Sequence, residues 1–291
     1  MLAYLLVSGV TTGSLYALVA MGLVVVHKAT GVVNFAHGEL FMLGGFFAYT
    51  LHVLLKIPYV PALMLAVGGS LLLGVLTERV AYRPLMRAPT VSLVLAAVGF
   101  SFVLKGTARE IWGGQGDYIP FPPLVKADPI AFGDVLIVPQ QLVVLGASMV
   151  CMVAFTLFFN GTRWGKVLQA TAENAKAASL VGIRIQRVYA FTWGVGAAIA
   201  GAAAALMAPL TLIYPDLGAV LLVKAFASAV LGGFGSLPGA VLGGVSVGII
   251  ENLAGGYLHT KFQDVSAFVV IMLVLVVRPT GLLGTRGARR I

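Results

Sequence analysis

The segment Gly31–Gly45, GVVNFAHGELFMLGG, sets Asn34, His37 and Glu39 within six residues between two apolar runs. An amide, an imidazole and a carboxylate this close together can exchange protons, hold a charge or line a polar path. On a continuous helix Phe35 and Glu39, four apart, share one face, and Asn34 and His37, three apart, form a neighbouring face. Glu251 and Asn252 make a second polar pair in the apolar stretch GGVSVGIIENLAGG. Two GxxxG spacings, Gly239–Gly243 and Gly244–Gly248, precede that pair and predict a helix packed closely on a neighbour.

What such residues can do depends on their solvent. Of the 291 residues, 59% are hydrophobic and 10% charged, and mean hydropathy is +1.00. A soluble domain carries roughly 25% charged residues, so this composition excludes one and points to an integral membrane protein. In the middle of a bilayer a carboxylate costs roughly 2.5–3.5 kcal/mol on insertion scales, and it should therefore face a partner or water. Two compatible readings follow for the first cluster. It lines a transport path, or it lies at the cytoplasmic border, where Asn34 caps a helix and Glu39 neutralises its N-terminus. Glu251 likewise either faces a path or sits near the outer, wet end of its helix.

The elements that must position these groups are apolar helices. Nine segments, about 4–26, 32–54, 60–77, 90–108, 140–160, 188–209, 217–234, 238–257 and 265–277, approach the ~20 residues needed to cross hydrocarbon. They do not alternate as the strands of a membrane barrel do. The 36 glycines suit close helix contact in lipid. No basic residue or small-residue cleavage site marks the first run as a signal peptide, and Lys28 follows it. That places the N-terminus outside.

With this orientation 13 of the 19 Lys and Arg fall inside: Lys28, Arg79, Arg83, Arg87, Arg163, Lys166, Lys176, Arg184, Arg187, Arg278, Arg286, Arg289 and Arg290. Lys56, Lys105, Arg109, Lys126, Lys224 and Lys261 do not fit. The net charge of +9 is thus spread over separate loops, which argues for the positive-inside rule and against nucleic acid. Cys151 is the single cysteine, so the chain holds no internal disulfide.

Four segments interrupt the pattern. The extracytoplasmic stretch 109–139 carries Asp117, Asp128, Asp134 and five prolines, and reads as an irregular loop, either a docking surface or a solvated connector. Phe35–Gly45 and Leu231–Gly239 (LGGFGSLPG) are poor simple helices. They read as broken or re-entrant pieces bordering a path or, for the second, as a tight turn at Gly235–Gly239. The cytoplasmic stretch 161–187 is rich in helix formers over Lys166–Leu180 and reaches a stop at Gly182. It reads as a short helix that inserts into a groove on another protein, or as an amphipathic connector.

Catalytic signals are missing. GTRWGKV does not complete a phosphate-binding GxxxxGK[ST], GGFGSLPG does not complete GxGxxG, and there is no GxSxG. His27, His37, His52 and His259 lack metal-ligand spacing. The chain reads as a conduit, not an enzyme, with its energy supplied from elsewhere.

Five stretches resemble the LivH-type permease subunits of branched-chain amino acid ABC importers. They are GSLYALVAMG (Gly13–Gly22), NFAHGELFMLG (Asn34–Gly44), ATAENAKAASLVGI (Ala170–Ile183), AFASAVLGGFGSLPGAVLGG (Ala225–Gly244) and RPTGLLG (Arg278–Gly284). The resemblance implies an all-α ABC importer permease fold of about eight to nine transmembrane helices, forming one domain over 1–291 in a bacterial or archaeal inner membrane with a cytoplasmic C-terminus. It implies that Glu173, Asn174, Ala175, Ala178 and Gly182 belong to a coupling loop that docks on an ATPase, although the family's Glu-Ala-Ala core reads Glu-Asn-Ala here. It implies four kinds of partner: a second, LivM-like permease, two ATPase subunits that bind ATP and Mg, a periplasmic amino-acid-binding protein, and the lipid bilayer. The substrate path would hold Asn34, His37, Glu39, Glu251 and Asn252, with no cofactor or metal in this chain. The same kind of importer for urea, short amides or other amino acids is the nearest alternative. An ion-coupled secondary transporter is further off, because only Glu39 and Glu251 could couple ions and the cytoplasmic loop would go unexplained.

Overall fold

Glycine and alanine decide which helices of this chain touch. The computed structural model describes residues 1–86, 88–113, 118–125, 128–132 and 135–284, so the expectations placed on Arg87, Asp117, Lys126, Asp134, Arg286, Arg289 and Arg290 lie outside the described residues. Each of the nine apolar segments forms a helix. They are α1 (Leu2–Thr30), α2 (His37–Tyr49), α3 (Tyr59–Thr77), α4 (Thr90–Trp112), α5 (Pro139–Gly161), α8 (Ile185–Met207), α9 (Leu217–Gly232), α10 (Leu237–Tyr257) and α11 (Phe262–Val277). Between α5 and α8 stand α6 (Arg163–Glu173) and α7 (Ala175–Leu180). Six of the apolar helices are long enough to cross a membrane. The 16 residues of α9 and of α11 run only about 24 Å, short of a ~30 Å hydrocarbon layer. The loop between α4 and α5 is less irregular than its prolines suggest. Two three-residue strands, β1 (Ile130–Phe132) and β2 (Val135–Ile137), pair antiparallel with Ile130 opposite Ile137.

Helices α1 and α8 form the centre, and α1 is buried on every side through its middle. Its neighbours approach at small residues. Gly244 and Gly248 of α10 lie on Ala17, Gly13 and Gly9 of α1, while Gly239 and Gly243 of the same helix lie on Gly232 and Ser228 of α9. The two GxxxG spacings therefore serve two different neighbours. Gly196 of α8 meets Gly22 of α1, and Gly201 meets Gly44 of α2 and Ser70 of α3. In lipid there is little hydrophobic drive between helices, so such close backbone contacts hold the bundle together. Helices α3, α4 and α5 stay mostly exposed and form the periphery.

The two interrupted segments differ. Leu231–Gly239 is a tight turn: α9 ends at Gly232, Gly233 and Gly235 take positive φ of 104° and 116°, and Ser236 Oγ accepts from the Gly239 N–H to start α10. The RPTGLLG tail folds back on this turn, where Leu282 and Leu283 N–H donate to the Leu231 and Gly232 carbonyls that the end of α9 leaves open. Gly31–Ala36, in contrast, carries the chain from the end of α1 back into the bundle. The His37 ring packs on Gly22, eight residues short of Thr30, so α2 begins about 12 Å below the end of α1.

Candidate functional site

Helix α2 can start inside the protein because its first turn is satisfied locally. Asn34 is fully buried, and its Oδ1 accepts from the Ala36 N–H at 2.9 Å and from the Tyr82 hydroxyl at 2.9 Å. The Asn34 side chain thus shapes the turn that enters α2, close to the capping role expected of it, and it precedes the helix instead of sharing a helical face with His37. Phe35 also precedes α2 and is exposed, whereas Glu39 is only 2% exposed, so these two do not share a face either. The periodicity argument failed because the helix begins at His37, three residues after Asn34.

The start of α9 lies against the start of α2. Gly38 and Gly218 are in backbone contact, and a side chain at either would strike the other's carbonyl. Two helix N-termini, each with partial positive charge, therefore meet inside the bundle. Around them runs a chain of charges. Lys105 Nζ of α4 stands 3.5 Å from Glu39 Oε1 and 3.5 Å from Asp216 Oδ1, and Arg109 Nη2 donates to Asp216 Oδ2 at 2.8 Å. Glu39 is buried and Lys105 half-buried, while the Asp216 and Arg109 side chains are more than half exposed, so the network runs from the interior to an accessible surface. Among the described residues Glu39 Oε2 and Asn34 Nδ2 have no hydrogen-bond partner. Beside this junction, a bridge between Ile119 and Ile213 ties the α4–α5 loop to the segment leading into α9.

Lys105, Arg109 and Asp216 were not among the sequence candidates. Their signal was present: Lys105 and Arg109 were two of the six basic residues that violated the charge rule. A cation off the pattern near a membrane is costly and calls for a carboxylate partner.

Lys224, a third exception, explains Glu251. Its Nζ donates to Glu251 Oε1 at 2.6 Å and lies 3.2 Å from Asp264 Oδ1, joining α9, α10 and α11. The Tyr16 ring of α1 lies 5.7 Å from the same ammonium. Asn252 takes no part in this cluster; its Nδ2 donates to the Gly248 carbonyl of its own helix at 2.9 Å.

The segment between α5 and α8 is two helices where one was expected over Lys166–Leu180. Thr162 caps α6, its Oγ1 accepting from the Gly165 N–H at 3.0 Å. Asn174 then leaves the helical region at φ −154°, and its Oδ1 accepts from the Ala177 N–H at 3.0 Å to start α7. The sequence suggested a continuous helix because Ala and Glu propensities outweigh one Asn; the cap bond reverses that balance here. Gly182 stops α7 with φ 89°. Ala178 is buried and Ala175 half-buried, whereas Glu173 and Asn174 are exposed, and Leu180 and Val181 project at 83% and 78% exposure. Apolar tips that exposed at the end of a capped helix suit a groove in another protein.

Over residues 5–277 the chain matches the family described as branched-chain amino acid transport system / permease component. It is 36% identical over 290 residues to the high-affinity branched-chain amino acid transport system permease protein LivH of Salmonella typhimurium, covering 95% of this chain and 94% of that one. It is also 36% identical to BraD of Pseudomonas aeruginosa, described in the same words, covering 96% and 94%. Among solved structures, PsaBC from Streptococcus pneumoniae in complex with Fab superposes with a TM-score of 0.50 at 13% identity, over 94% of this chain and 91% of that one. At that identity the likeness shows the fold alone.

Proposed function

The chain belongs to the family of branched-chain amino acid transport system permease components, and from that premise we propose that it is the membrane-spanning permease subunit of an ABC importer carrying branched-chain amino acids inward. The observation that carries this reading is the extent of the likeness, which runs almost from end to end. Two ATPase subunits would bind ATP and Mg on the cytoplasmic side, an amino-acid-binding protein would deliver substrate outside, and a second, LivM-like permease would complete the conduit. The N-terminus lies outside and the C-terminus inside in this reading, which the loop charges support.

Asn34, His37 and Glu39, joined by Lys105 and Asp216, form the proposed substrate path. An amino acid enters as a zwitterion, and both of its charges need partners away from bulk water. The free oxygen of Glu39 suits the ammonium. Lys105, Arg109 and the two helix N-termini suit the carboxylate. Glu251 and Asn252 border this path less directly: Glu251, held by Lys224, fixes α10 against α9, whereas Asn252 bonds to Gly248 within α10 itself.

Glu173, Asn174, Ala175, Ala178 and Gly182 form the coupling segment. ATP-driven closure of the ATPases moves α7, and through α6 and α8 shifts the spans. Coupling requires that the two access states contact the ATPases differently, since equal contact shifts nothing. Leucine uptake into proteoliposomes holding the complete complex tests the proposal. Uptake should require ATP and the binding protein. Uptake by this chain alone would overturn the importer reading, and uptake of urea without leucine would reassign the substrate.

A further inference from the structure

A second concave site lies away from the transport path, at the cytoplasmic foot of α5 and α8. A groove of about 310 Å³ opens between α6 and the start of α8, and Arg163, Arg184 and Arg187 stand at it beside Trp164. All three arginines are exposed, and among the described residues none has a carboxylate within ion-pair distance. Nearby Arg83 differs: it holds Glu78 through two hydrogen bonds of 3.1 and 2.7 Å. The positive-inside rule asks only for cations somewhere in the loop. It does not ask for three guanidinium groups around one groove.

We propose that this groove binds the phosphate headgroup of an anionic membrane lipid, with Arg163, Arg184 and Arg187 around the phosphate and Trp164 at the headgroup level. Guanidinium groups match phosphate oxygens in pairs. The apolar lining points to a lipid and not to a free anion: Val167, Ile183 and Val188 floor the groove. From Trp164 an aromatic column leads to the bilayer side, with the Phe191 ring 4.9 Å from Trp164 and the Phe158 ring 6.2 Å from Phe191. On α8 the sequence Arg184, Arg187, Phe191 places cations, then an aromatic ring, in the order that a headgroup and its acyl chains require. Gly182 also lines the groove, so the bound lipid touches the end of the coupling segment.

The test uses the assembled importer in vesicles of phosphatidylcholine alone or mixed equally with phosphatidylglycerol. Phosphatidylglycerol retained on the complex is counted by native mass spectrometry, and leucine-stimulated ATP turnover is measured in each vesicle. The wild type should retain the anionic lipid and turn over faster in the mixture. Arg163→Gln with Arg187→Gln should lose about fivefold in retained lipid for each charge removed and lose the stimulation. Arg163→Lys with Arg187→Lys should recover part of both, and Arg79→Gln, which removes a cytoplasmic charge elsewhere, should match the wild type. Retention unchanged in the double glutamine variant overturns the proposal. So does stimulation of equal size by inorganic phosphate in phosphatidylcholine vesicles, which identifies a free-anion site. Loss of the ATPase subunits from that variant in both vesicles also overturns it and assigns the arginines to subunit docking.

Discussion

At the scale of single residues, the decisive objects are two cations, Lys224 buried and Lys105 half-buried, each shared between two carboxylates. Breaking a buried pair leaves an uncompensated charge, which costs about 3 kcal/mol or more, while replacing both partners by apolar groups is often neutral. Lys224→Met should therefore lower the thermal midpoint of the complex clearly, and Lys224→Met with Glu251→Leu should restore most of it with uptake intact, because that cluster joins helices. Lys105→Met should be similarly destabilising. Here, however, the companion change Glu39→Leu should recover the midpoint and leave leucine uptake abolished. Recovery of uptake along with stability would remove the Glu39–Lys105 pair from the path. Half of this chemistry was legible in advance. Glu39 and Glu251 stood out as costly intramembrane charges. Their partners Lys105 and Lys224 stood out only as cations off the charge pattern, and the pairing itself was hidden, because residues 66 and 27 positions away along the chain become neighbours only once the helices are placed.

At the scale of elements, two junctions matter. The first is the contact of the α2 and α9 N-termini at Gly38 and Gly218. A side chain there has no space, and overpacking of this kind costs about 1–3 kcal/mol. Gly38→Val should lower expression or the thermal midpoint and reduce uptake. Gly68→Ala on α3, where the surroundings are open, should do neither. The second is the break at Asn174. Its cap bond contributes about 1 kcal/mol to α7. Asn174→Ala should let α6 and α7 merge and uncouple the machine: ATP turnover in the complex should persist while uptake falls severalfold. Asn174→Asp and Asn174→Ser, which keep an acceptor, should retain coupling. Equal uptake in the alanine and serine variants would show that the break has no part in coupling.

At the scale of the whole molecule, the orientation of the bundle fixes everything assigned to its ends. The one natural cysteine, Cys151, is half-buried in α5. In a Cys151→Ala background, Lys176→Cys on exposed α7 should react with a membrane-impermeant maleimide from the cytoplasmic side only. Labelling from the outside would separate the coupling segment from any cytoplasmic motor, and would also move the lipid groove to the wrong leaflet.

The sequence by itself determined the class. Its hydropathy set nine apolar helices and its Gly spacings marked α10 as a helix in close contact, because each of these is a local property of composition or period. Tertiary structure decided the rest. It chose which helix met each glycine pair, set the start of α2 three residues past Asn34, broke 163–180 into two helices at Asn174, and found Lys105 and Lys224 for the carboxylates. Most of those outcomes depend on contacts between distant segments, which no local pattern along the chain records; at Asn174 two local signals compete, and the cap bond outweighs helix propensity.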